Sequence, residues 1–269
     1  VVPGGRARVA AISRTLSPDG LGFAFRRHRD KPWTFPLFIK NRFIDSFSAA
    51  LLWFAIDGAR TILIAGTRSS GKTSFLGSLM TQIMPKLRII SVEDTLELPV
   101  VQLQELGFNI ERLKSRSVIT HVEIEIAAEE AIRTALRLGD SCLIVGEVRS
   151  REAIALYEAM RIGALANVVA GTIHGDSAYG VFDRVVNDLG VPPTSFKATD
   201  LIVICNTLKT PDSMKTFRRV VEVTEVRKHW QRDPLEEGGF EKLLEYSAKD
   251  DMIKPTKTLL TGESQILDS

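Results

Sequence analysis

The chain has 269 residues, of which 44% are hydrophobic and 25% charged, a balance typical of folded globular proteins rather than disordered or fibrous ones. Lysine and arginine total 35 against 33 aspartate and glutamate, so the formal net charge of +2 indicates no particular affinity for nucleic acid or anionic surfaces. The longest unbroken apolar run, Ala49 to Ile56, is far shorter than the roughly 20 residues of a membrane-spanning helix.

The first forty residues predict the end of a β-rich domain followed by a connector. Residues 6–11 alternate with the two-residue period of strands, Pro18-Asp19-Gly20 supplies a turn, and residues 21–25 resume an extended pattern, so we expect a hairpin. Five basic residues and two prolines between Arg26 and Lys40 are typical of a linker. We therefore predict two parts: residues 1–40, the end of an amino-terminal domain plus linker, and residues 41–269, a second domain.

Helices and strands alternate from about Ser46 onward. The expected strands are 61–65, 88–92, 142–145 and 168–172. The expected helices are 46–53, one from Gly71 that contains an amphipathic segment at 74–84, 127–138, one from Ser150, and 178–189. Short strands rich in Ile, Val and Leu, without polar alternation, indicate a sheet covered by helices on both faces. The sequence therefore predicts an α/β domain with a predominantly parallel, doubly wound sheet. Beyond Val191 the chain is less regular, with strands expected at 201–205 and 219–226.

The two cysteines bear on the compartment of the protein. Cys142 and Cys205 lie far apart in the sequence, each inside an apolar stretch, which predicts reduced thiols in the core and a reducing compartment. The chain opens at Val1 without a basic-then-apolar leader, so we expect no secretion signal. Together these features favour a cytoplasmic protein.

A phosphate-binding loop is the sharpest motif in the chain. It matches the pattern G-x-x-x-x-G-K-[ST], follows an apolar strand, precedes a helix, and reads Gly66-Thr67-Arg68-Ser69-Ser70-Gly71-Lys72-Thr73, with Ser74 next. Main-chain N–H groups and the positive end of the helix are expected to hold phosphates. We expect Lys72 to reach the β- and γ-phosphates and the Thr73 hydroxyl to coordinate magnesium. The loop therefore predicts binding of ATP with Mg2+.

Two apolar strands end in acidic residues that suit a magnesium nucleotide site. The strand at 143–147 ends in Glu147, which we expect to hold the magnesium through water. The strand at 89–92 is followed by Glu93 and Asp94, and Glu93 is the candidate to take a proton from the attacking water. Acids at strand ends also cap helices or pair with arginine, so the structural alternative stays open for both.

A histidine and an arginine complete the candidate site. His174 follows a third apolar strand and lies at the same predicted sheet edge, which favours a γ-phosphate sensor, although a lone histidine is more often structural. Arg149 lies two positions after Glu147 and is a candidate nucleotide-site residue, which either pairs with the acids or is simply solvated.

The order of these motifs resembles the secretion-superfamily ATPases that drive type II secretion, type IV pili and archaeal surface filaments. The resemblance rests on the phosphate loop and the segments SVEDTLEL, ALRLGDSCLIVGEVRSREA and GTIHGDSAYGVFDRV, and the archaeal type II/IV branch is most similar. It implies a hexameric ring whose protomers each have an amino-terminal domain and a RecA-like P-loop domain, with ATP at their junction. In those terms the loop is Walker A, Glu93-Asp94 the Asp box, Glu147 the Walker B glutamate and His174 the His box.

The resemblance also implies arginines that contact the phosphates from the amino-terminal domain, often that of a neighbouring subunit. Arg6, Arg8 and Arg26 lie in the matching stretch. A cation that arrives across an interface stabilises the charge that builds up on the transferred phosphoryl group. Two departures from the family pattern, at residues 68–69 and 139–141, remove no group that the mechanism requires.

These features predict a motor that hydrolyses ATP and powers protein secretion or the assembly of a pilus or archaeal filament. Its expected partners are further copies of itself and a polytopic membrane platform protein, at the inner face of the cell membrane. One alternative is a RecA-like nucleic-acid translocase, but no basic stripe with interleaved aromatics extends beyond Arg26 to Trp33, so no DNA is expected. The other alternative is a nucleotide-binding assembly scaffold with little turnover.

Overall fold

The computed structural model describes residues 7–27, 31–115, 127–139, 141–162, 167–210 and 213–268. The chain divides into two compact units, Val1–Pro32 and Trp33–Ser269. The smaller unit contains an antiparallel hairpin of β1 (Ala7–Ile12) and β2 (Gly22–Arg27), as the sequence predicted. The boundary predicted at residue 40 falls inside the larger unit and stays a prediction about the domains of the protein.

The larger unit is built on a mixed sheet that has nine strands among the described residues. In chain order they are β3 (Thr61–Gly66), β4 (Ile89–Glu93), β5 (Ile110–Lys114), β6 (Cys142–Val148), β7 (Val169–His174), β8 (Leu201–Thr210), β9 (Ser213–Val226), β10 (Phe240–Ser247) and β11 (Met252–Pro255). The order across the sheet is β11-β10-β9-β8-β3-β7-β6-β4-β5. Strands β8 to β5 in this order are parallel, and β9, β10 and β11 extend the sheet antiparallel. The predicted α/β fold with a predominantly parallel sheet is confirmed.

Helices cover the sheet. They are α1 (Phe35–Lys40), α2 (Ser46–Asp57), α3 (Lys72–Met80), α4 (Val100–Glu105), α5 (Ala128–Leu136), α6 (Glu152–Ile162), α7 (Ala178–Asp183) with a π-helical turn (Arg184–Asp188) after it, α8 (Pro193–Phe196) and α9 (Lys257–Leu260). Side chains cap two of them: Asp45 accepts a hydrogen bond from the Ser48 N–H and Ser177 from the Gly180 N–H. Within the described ranges, no helix combines the length and the apolar character that a bilayer crossing requires.

The two faces of the sheet belong to two separate apolar cores. Ile62 and Ile64 of β3 pack into one core together with residues of α2 and α3, whereas Leu63 and Ala65 pack into the other with residues of α5 and α6. Successive side chains of a strand point to opposite faces, so a sheet buried on both faces needs unbroken apolar strands. The carboxyl ends of the parallel strands are then the place where polar groups can gather.

The linker predicted between residues 26 and 40 is wrong in its second half. Residues 35–40 form α1, in which Pro36 occupies the first turn, where a missing N–H costs no hydrogen bond. Phe35 and Phe38 are buried, and their rings stack on and edge against the ring of Phe75 in α3, at centroid distances of 5.9 and 5.3 Å. This aromatic cluster joins segments distant in sequence, so local composition does not indicate it.

The structure differs from the sequence-based predictions at two further places, the helix after the phosphate loop and the carboxyl-terminal part. The helix after the phosphate loop ends at Met80 rather than near residue 84, because the chain turns at Thr81 ahead of Pro85. The carboxyl-terminal part is more regular than expected, since β10 and β11 form an antiparallel pair. Cys142 and Cys205 are free thiols buried in the core, as predicted.

Candidate functional site

The topology brings the phosphate loop, both acids and the histidine to one edge of the sheet. The loop follows β3, and Gly66 at the end of β3 pairs in register with His174 at the end of β7. Glu147 lies near the end of β6, the other neighbour of β7, and Glu93 ends β4, the next strand across. The predicted grouping therefore follows from parallel strands whose carboxyl ends share one edge.

The phosphate loop turns sharply and uses the left-handed region of backbone space. Gly66, Ser69 and Gly71 have φ angles of 153°, 63° and 100°. A Cβ at Gly66 would lie 2.0 Å from the carbonyl oxygen of Cys205 in β8, so only glycine fits between the two strands. At Gly71 a Cβ would lie 3.3 Å from the Phe43 ring. The first and last glycines of the motif are thus explained by conformation and by close packing.

Lys72 opens α3 and folds back across the loop. Its ammonium donates hydrogen bonds to the carbonyl oxygens of Gly66 at 2.9 Å and Thr67 at 2.8 Å, and the side chain is buried. The Ser70 hydroxyl is also buried and, among the described residues, has no hydrogen-bond partner. A buried cation, an unpaired hydroxyl and the N–H groups at the start of α3 form a set that fits an anionic phosphate group.

The remaining loop side chains are more accessible. Thr67, Arg68, Ser69 and Ser74 are exposed, and Thr73, in the first turn of α3, is half-buried. Side-chain roles for these residues in nucleotide binding stay predictions.

Glu93 is a buried carboxylate with only one of its oxygens engaged. It is 2% exposed, and Oε1 accepts hydrogen bonds from the main-chain N–H groups of Glu97 and Leu98, both at 2.8 Å. Among the described residues no hydrogen-bond donor reaches Oε2. Burial raises the pKa of Glu93 to about 7, and the two N–H groups limit the rise. A carboxyl group with a pKa near neutrality and a free oxygen suits a general base.

Gly146 makes room for Glu93. A Cβ at position 146 would lie 3.0 Å from Cγ of Glu93, so the glycine that stands where an aspartate is often found allows the buried carboxylate to lie against β6. The pairing of β6 with β7 shifts by one residue between Val145 and Val148, and the Thr172 hydroxyl donates to the Gly146 carbonyl at 2.6 Å. Such a bulge re-aims the side chains beside it, here that of Glu147.

Glu147 lies between an arginine and a histidine. Its Oε2 accepts a hydrogen bond from Arg149, and its Oε1 lies 3.1 Å from Nε2 of His174. Burial by itself raises the pKa of Glu147, but the hydrogen bond and charge of Arg149, together with the charges of His174 and Lys72, outweigh it and hold the pKa below its ordinary value. Glu147 is therefore ionised at neutral pH, whereas Glu93 is only partly ionised there.

Arg149 bridges the two acidic segments. Its Nη1 lies 3.1 Å from Oδ2 of Asp94, while its other terminal nitrogen contacts Glu147. Asp94 and Glu93 are adjacent in sequence but have different surroundings, one paired with arginine and the other buried. Of the two roles left open for Arg149, it adopts pairing with the acids, and its contact with a nucleotide stays a prediction.

The pKa of His174 lies below its ordinary value. Partial burial and the nearby charge of Lys72 lower the pKa of His174, and the opposing effect of Glu147 does not cancel them. Its side chain is 40% exposed, so it can meet a ligand at the sheet edge. A role as phosphate sensor is compatible with this placement and stays a prediction.

The arginines predicted in the amino-terminal part belong to the smaller unit, Val1–Pro32. Arg6 and the side chain of Arg8 lie outside the described residues, and Arg26 is in β2 of the smaller unit. Their contact with phosphates stays a prediction.

One residue of the site escaped the sequence-based prediction. Arg218 in β9 donates a hydrogen bond from Nε to the carbonyl oxygen of Ser69, at 2.6 Å, inside the phosphate loop. The two residues are separated by 149 positions, and no local pattern around Arg218 points to the loop.

The donors at this edge fit magnesium as well as phosphate. The hydroxyl of Thr73 and the carboxylate of Glu147 are oxygen ligands of the kind magnesium prefers. In the part of the chain that the structure describes, no group of three or more His, Cys, Asp or Glu side chains is arranged to hold a metal. A magnesium ion here would therefore complete its shell with phosphate oxygens and water.

Comparisons with known proteins support the resemblance to the secretion-superfamily ATPases. The sequence model of the family described as type II/IV secretion system protein matches residues 36–238. An uncharacterized protein of Methanocaldococcus jannaschii is 30% identical over 232 residues, which cover 86% of this chain and 40% of that protein. The type IV secretion system protein PtlH of Bordetella pertussis is 26% identical over 196 residues, 68% of this chain and 53% of PtlH. The chain thus spans about half the length of these relatives.

Among solved structures, the VirB11 ATPase from the Brucella suis type IV secretion system, in complex with sulphate, shares the fold. The TM-score is 0.54 at 19% sequence identity, and the match covers 82% of this chain and 71% of that chain. At this level of identity the likeness concerns the fold alone.

Proposed function

The chain belongs to the family of type II/IV secretion system proteins, and from this premise we propose that it hydrolyses ATP to ADP and phosphate as the P-loop unit of a secretion or filament-assembly motor. The observation that carries the proposal is Glu93, a buried carboxylate with a free oxygen at the sheet edge that also holds the phosphate loop. A site that only bound nucleotide would have no need of a carboxylate with these properties.

Nucleotide binding would use groups that the loop already orients. The N–H groups at the start of α3 hold the phosphates, and Lys72 exchanges its two carbonyl partners for phosphate oxygens. Thr73 and Glu147 are the residues that would hold magnesium, which neutralises charge on the phosphates. Thr67, Arg68, Ser69, Ser70 and Ser74 line the same loop.

The attack of water would depend on Glu93. Its free Oε2 accepts a proton from the attacking water, while the N–H groups of Glu97 and Leu98 keep the carboxylate in one orientation. A pKa of about 7 leaves a large ionised fraction at neutral pH and still allows effective proton acceptance. Gly146 preserves the space that this side chain needs.

Glu147, Arg149 and His174 would sense what occupies the loop. Arg149 balances the charges of Asp94 and Glu147, so a magnesium nucleotide that engages Glu147 competes with this ion pair. Nε2 of His174 lies 3.1 Å from Glu147, and His174 ends the strand beside the loop, which supports a role for His174 in sensing the γ-phosphate.

At the level of assembly we infer a homohexameric ring at the cytoplasmic face of the cell membrane, bound to a polytopic platform protein. The family and its secretion-system relatives support this reading. Arg6, Arg8 and Arg26 would contribute phosphate contacts from the amino-terminal part, and hydrolysis would change the angle between domains.

Phosphate release from magnesium ATP tests the proposed activity. Lys72→Ala should lower the steady-state rate about 100-fold or more, because it removes the cation that stabilises the γ-phosphate. Arg133→Ala is the control, since Arg133 is half-exposed and pairs with Glu129 and Glu158 on the helices α5 and α6. The proposal fails if the wild type releases no phosphate, or if Lys72→Ala matches it.

Light scattering tests the inferred assembly. With a non-hydrolysable ATP analogue the mass should rise from that of a 29.8 kDa monomer to that of a hexamer, and Lys72→Ala should not respond. A monomer under all conditions would contradict the ring while leaving the ATPase proposal standing.

A further inference from the structure

We propose that Arg218 is a positioning residue for the phosphate loop, and that the antiparallel strands β9 to β11 thereby hold the loop in the conformation that accepts phosphate. This inference rests on the proposed function, because the loop matters only if it binds a nucleotide. Nothing in the sequence motifs assigns a role to this arginine, which lies outside the parallel strands that carry the other site residues.

The contact with the loop is direct. Nε of Arg218 donates to the carbonyl oxygen of Ser69 at 2.6 Å, and Cδ of Arg218 would lie 3.7 Å from a Cβ at Gly71. The Phe43 ring would lie 3.3 Å from the same Cβ, and the Phe43 carbonyl accepts a hydrogen bond from the N–H of Val220, also in β9. The end of the loop is therefore held by two groups that β9 supplies or supports.

The hydrogen bond acts at the strained position of the loop. Ser69 has a φ of 63°, which is unfavourable for a residue with a side chain. The Ser69 carbonyl and the Ser70 N–H belong to one planar trans peptide unit, so they point in opposite directions. A carbonyl held outward by Arg218 therefore keeps the Ser70 N–H directed back across the loop, where it donates to the Thr67 carbonyl at 3.4 Å.

Arg218 is supported in turn by the carboxyl-terminal strands. Arg219 donates to the carbonyl oxygen of Arg218 at 2.9 Å and forms a two-pronged ion pair with Asp251, at 2.9 and 2.8 Å. The Tyr246 hydroxyl donates to the same aspartate at 2.8 Å. Arg219 is buried and Asp251 is 34% exposed, so these contacts are partly shielded from water, and they link the turn between β10 and β11 to the main chain of Arg218.

Nucleotide affinity and turnover of three variants test the inference. Arg218→Ala should raise the Kd of a fluorescent ADP and the KM of ATP about tenfold, with kcat changed less than about twofold. The reason is that the substitution shifts the loop that binds the nucleotide but leaves the residues that act on the attacking water in place. Lys215→Ala, which removes the same charge from the same strand, should bind like the wild type.

A glycine at position 69 distinguishes the effect of Arg218 on the loop conformation from the effect of its charge. Ser69→Gly relieves the left-handed strain, so the double variant with Arg218→Ala and Ser69→Gly should recover affinity to within about threefold of wild type. An Arg218→Ala variant with unchanged affinity, or a double variant as weak as Arg218→Ala, would overturn the inference.

Amide hydrogen exchange in the nucleotide-free protein distinguishes this inference from the proposed function. Residues 69–74 should exchange about tenfold faster in Arg218→Ala than in the wild type, and at the wild-type rate in Lys215→Ala. Such a result would stand even if the wild type hydrolysed no ATP. Equal exchange in Arg218→Ala and the wild type would refute the positioning role whatever the enzyme activity.

Discussion

Two buried glutamates, one in the parallel half of the sheet and one in the antiparallel half, are satisfied to very different degrees. Glu93 at the end of β4 has one oxygen held by two N–H groups and the other without a donor among the described residues. Glu225 in β9 is fully buried, and its two oxygens accept from the Ser264 hydroxyl at 2.7 Å and from Arg227 at 3.1 Å. The buried carboxylate of Glu225 therefore stabilises the antiparallel region, whereas the free oxygen of Glu93 in the parallel region is available to a ligand.

The same contrast extends to the neighbours of each glutamate. In the antiparallel half, Arg219, Asp251 and Tyr246 complete one another's hydrogen bonds, and the tail after α9 closes over Glu225. At the parallel edge, the Ser70 hydroxyl and one oxygen of Glu93 are left without a described partner. Leaving a buried polar atom unpaired lowers stability, and a ligand bound at this edge would supply the missing partners.

Gly66→Ala should break the parallel region most severely. The new Cβ would meet the Cys205 carbonyl at 2.0 Å and sit at a φ of 153°, so we expect the free energy of unfolding to fall by about 3 kcal/mol or more. Gly262→Ala in the carboxyl-terminal tail is the matched control, because its φ is 73° but nothing lies within 4 Å. That variant should lose only about 1 kcal/mol in denaturant unfolding. Equal losses would show that backbone strain, rather than strand packing, requires Gly66.

Glu93 should make the stability of the protein depend on pH. Its pKa rises from an ordinary 4.5 to about 7 on folding, so the folded state holds the proton more tightly. The stabilisation is complete below pH 4.5 and is lost as the pH rises through 7, by about 3 kcal/mol in total. The unfolding free energy of the wild type, minus that of Glu93→Gln, should therefore decrease from pH 4.5 to pH 8. If the two stability curves run parallel, the carboxyl group of Glu93 is as well stabilised in the folded protein as that of Glu225, and its pKa is not raised.

Glu225→Gln should affect stability and leave catalysis intact. Loss of the charged hydrogen bonds to Arg227 and Ser264 should lower the unfolding free energy by about 2 kcal/mol. The rate of ATP hydrolysis by the folded variant, measured well below its Tm, should equal that of the wild type. A lower rate of hydrolysis without a lower stability would contradict a purely structural role for Glu225.

The pH dependence of turnover should follow the titration of Glu93 and should not depend on Glu225. Below pH 7 the kcat/KM of the wild type should fall toward a tenfold loss per pH unit as Glu93 takes up its proton. Glu225→Gln should show the same profile. A level profile between pH 6 and 8 would exclude Glu93 as the base.

The sequence predicted those parts of the fold and site that depend on local patterns. The phosphate loop, the apolar parallel strands and the acids at their ends are each contained in a short segment, and parallel topology then brings the ends together. Glu93 and Asp94 illustrate the limit: they are adjacent and chemically alike, and only the space beside Gly146 and the pairing with Arg149 distinguish them.

Contacts between segments that are distant in the chain could not be predicted from the sequence. The hydrogen bond from Arg218 to Ser69 joins two different parts of the sheet, and α1 is a helix because its phenylalanines pack on Phe75. Strand β10 pairs with both β9 and β11, so the register of these strands depends on tertiary contacts more than on their own composition.

Single-turnover hydrolysis by Glu93→Gln and Glu147→Gln tests the central claim most directly. With protein in excess over ATP, Glu93→Gln should bind ATP within about threefold of the wild-type affinity but cleave it about 100- to 10,000-fold more slowly. Glu147→Gln should instead weaken the magnesium-dependent part of binding. If Glu93→Gln cleaves ATP at the wild-type rate, or if both variants lose binding equally, the assignment of Glu93 as the residue that activates water is wrong.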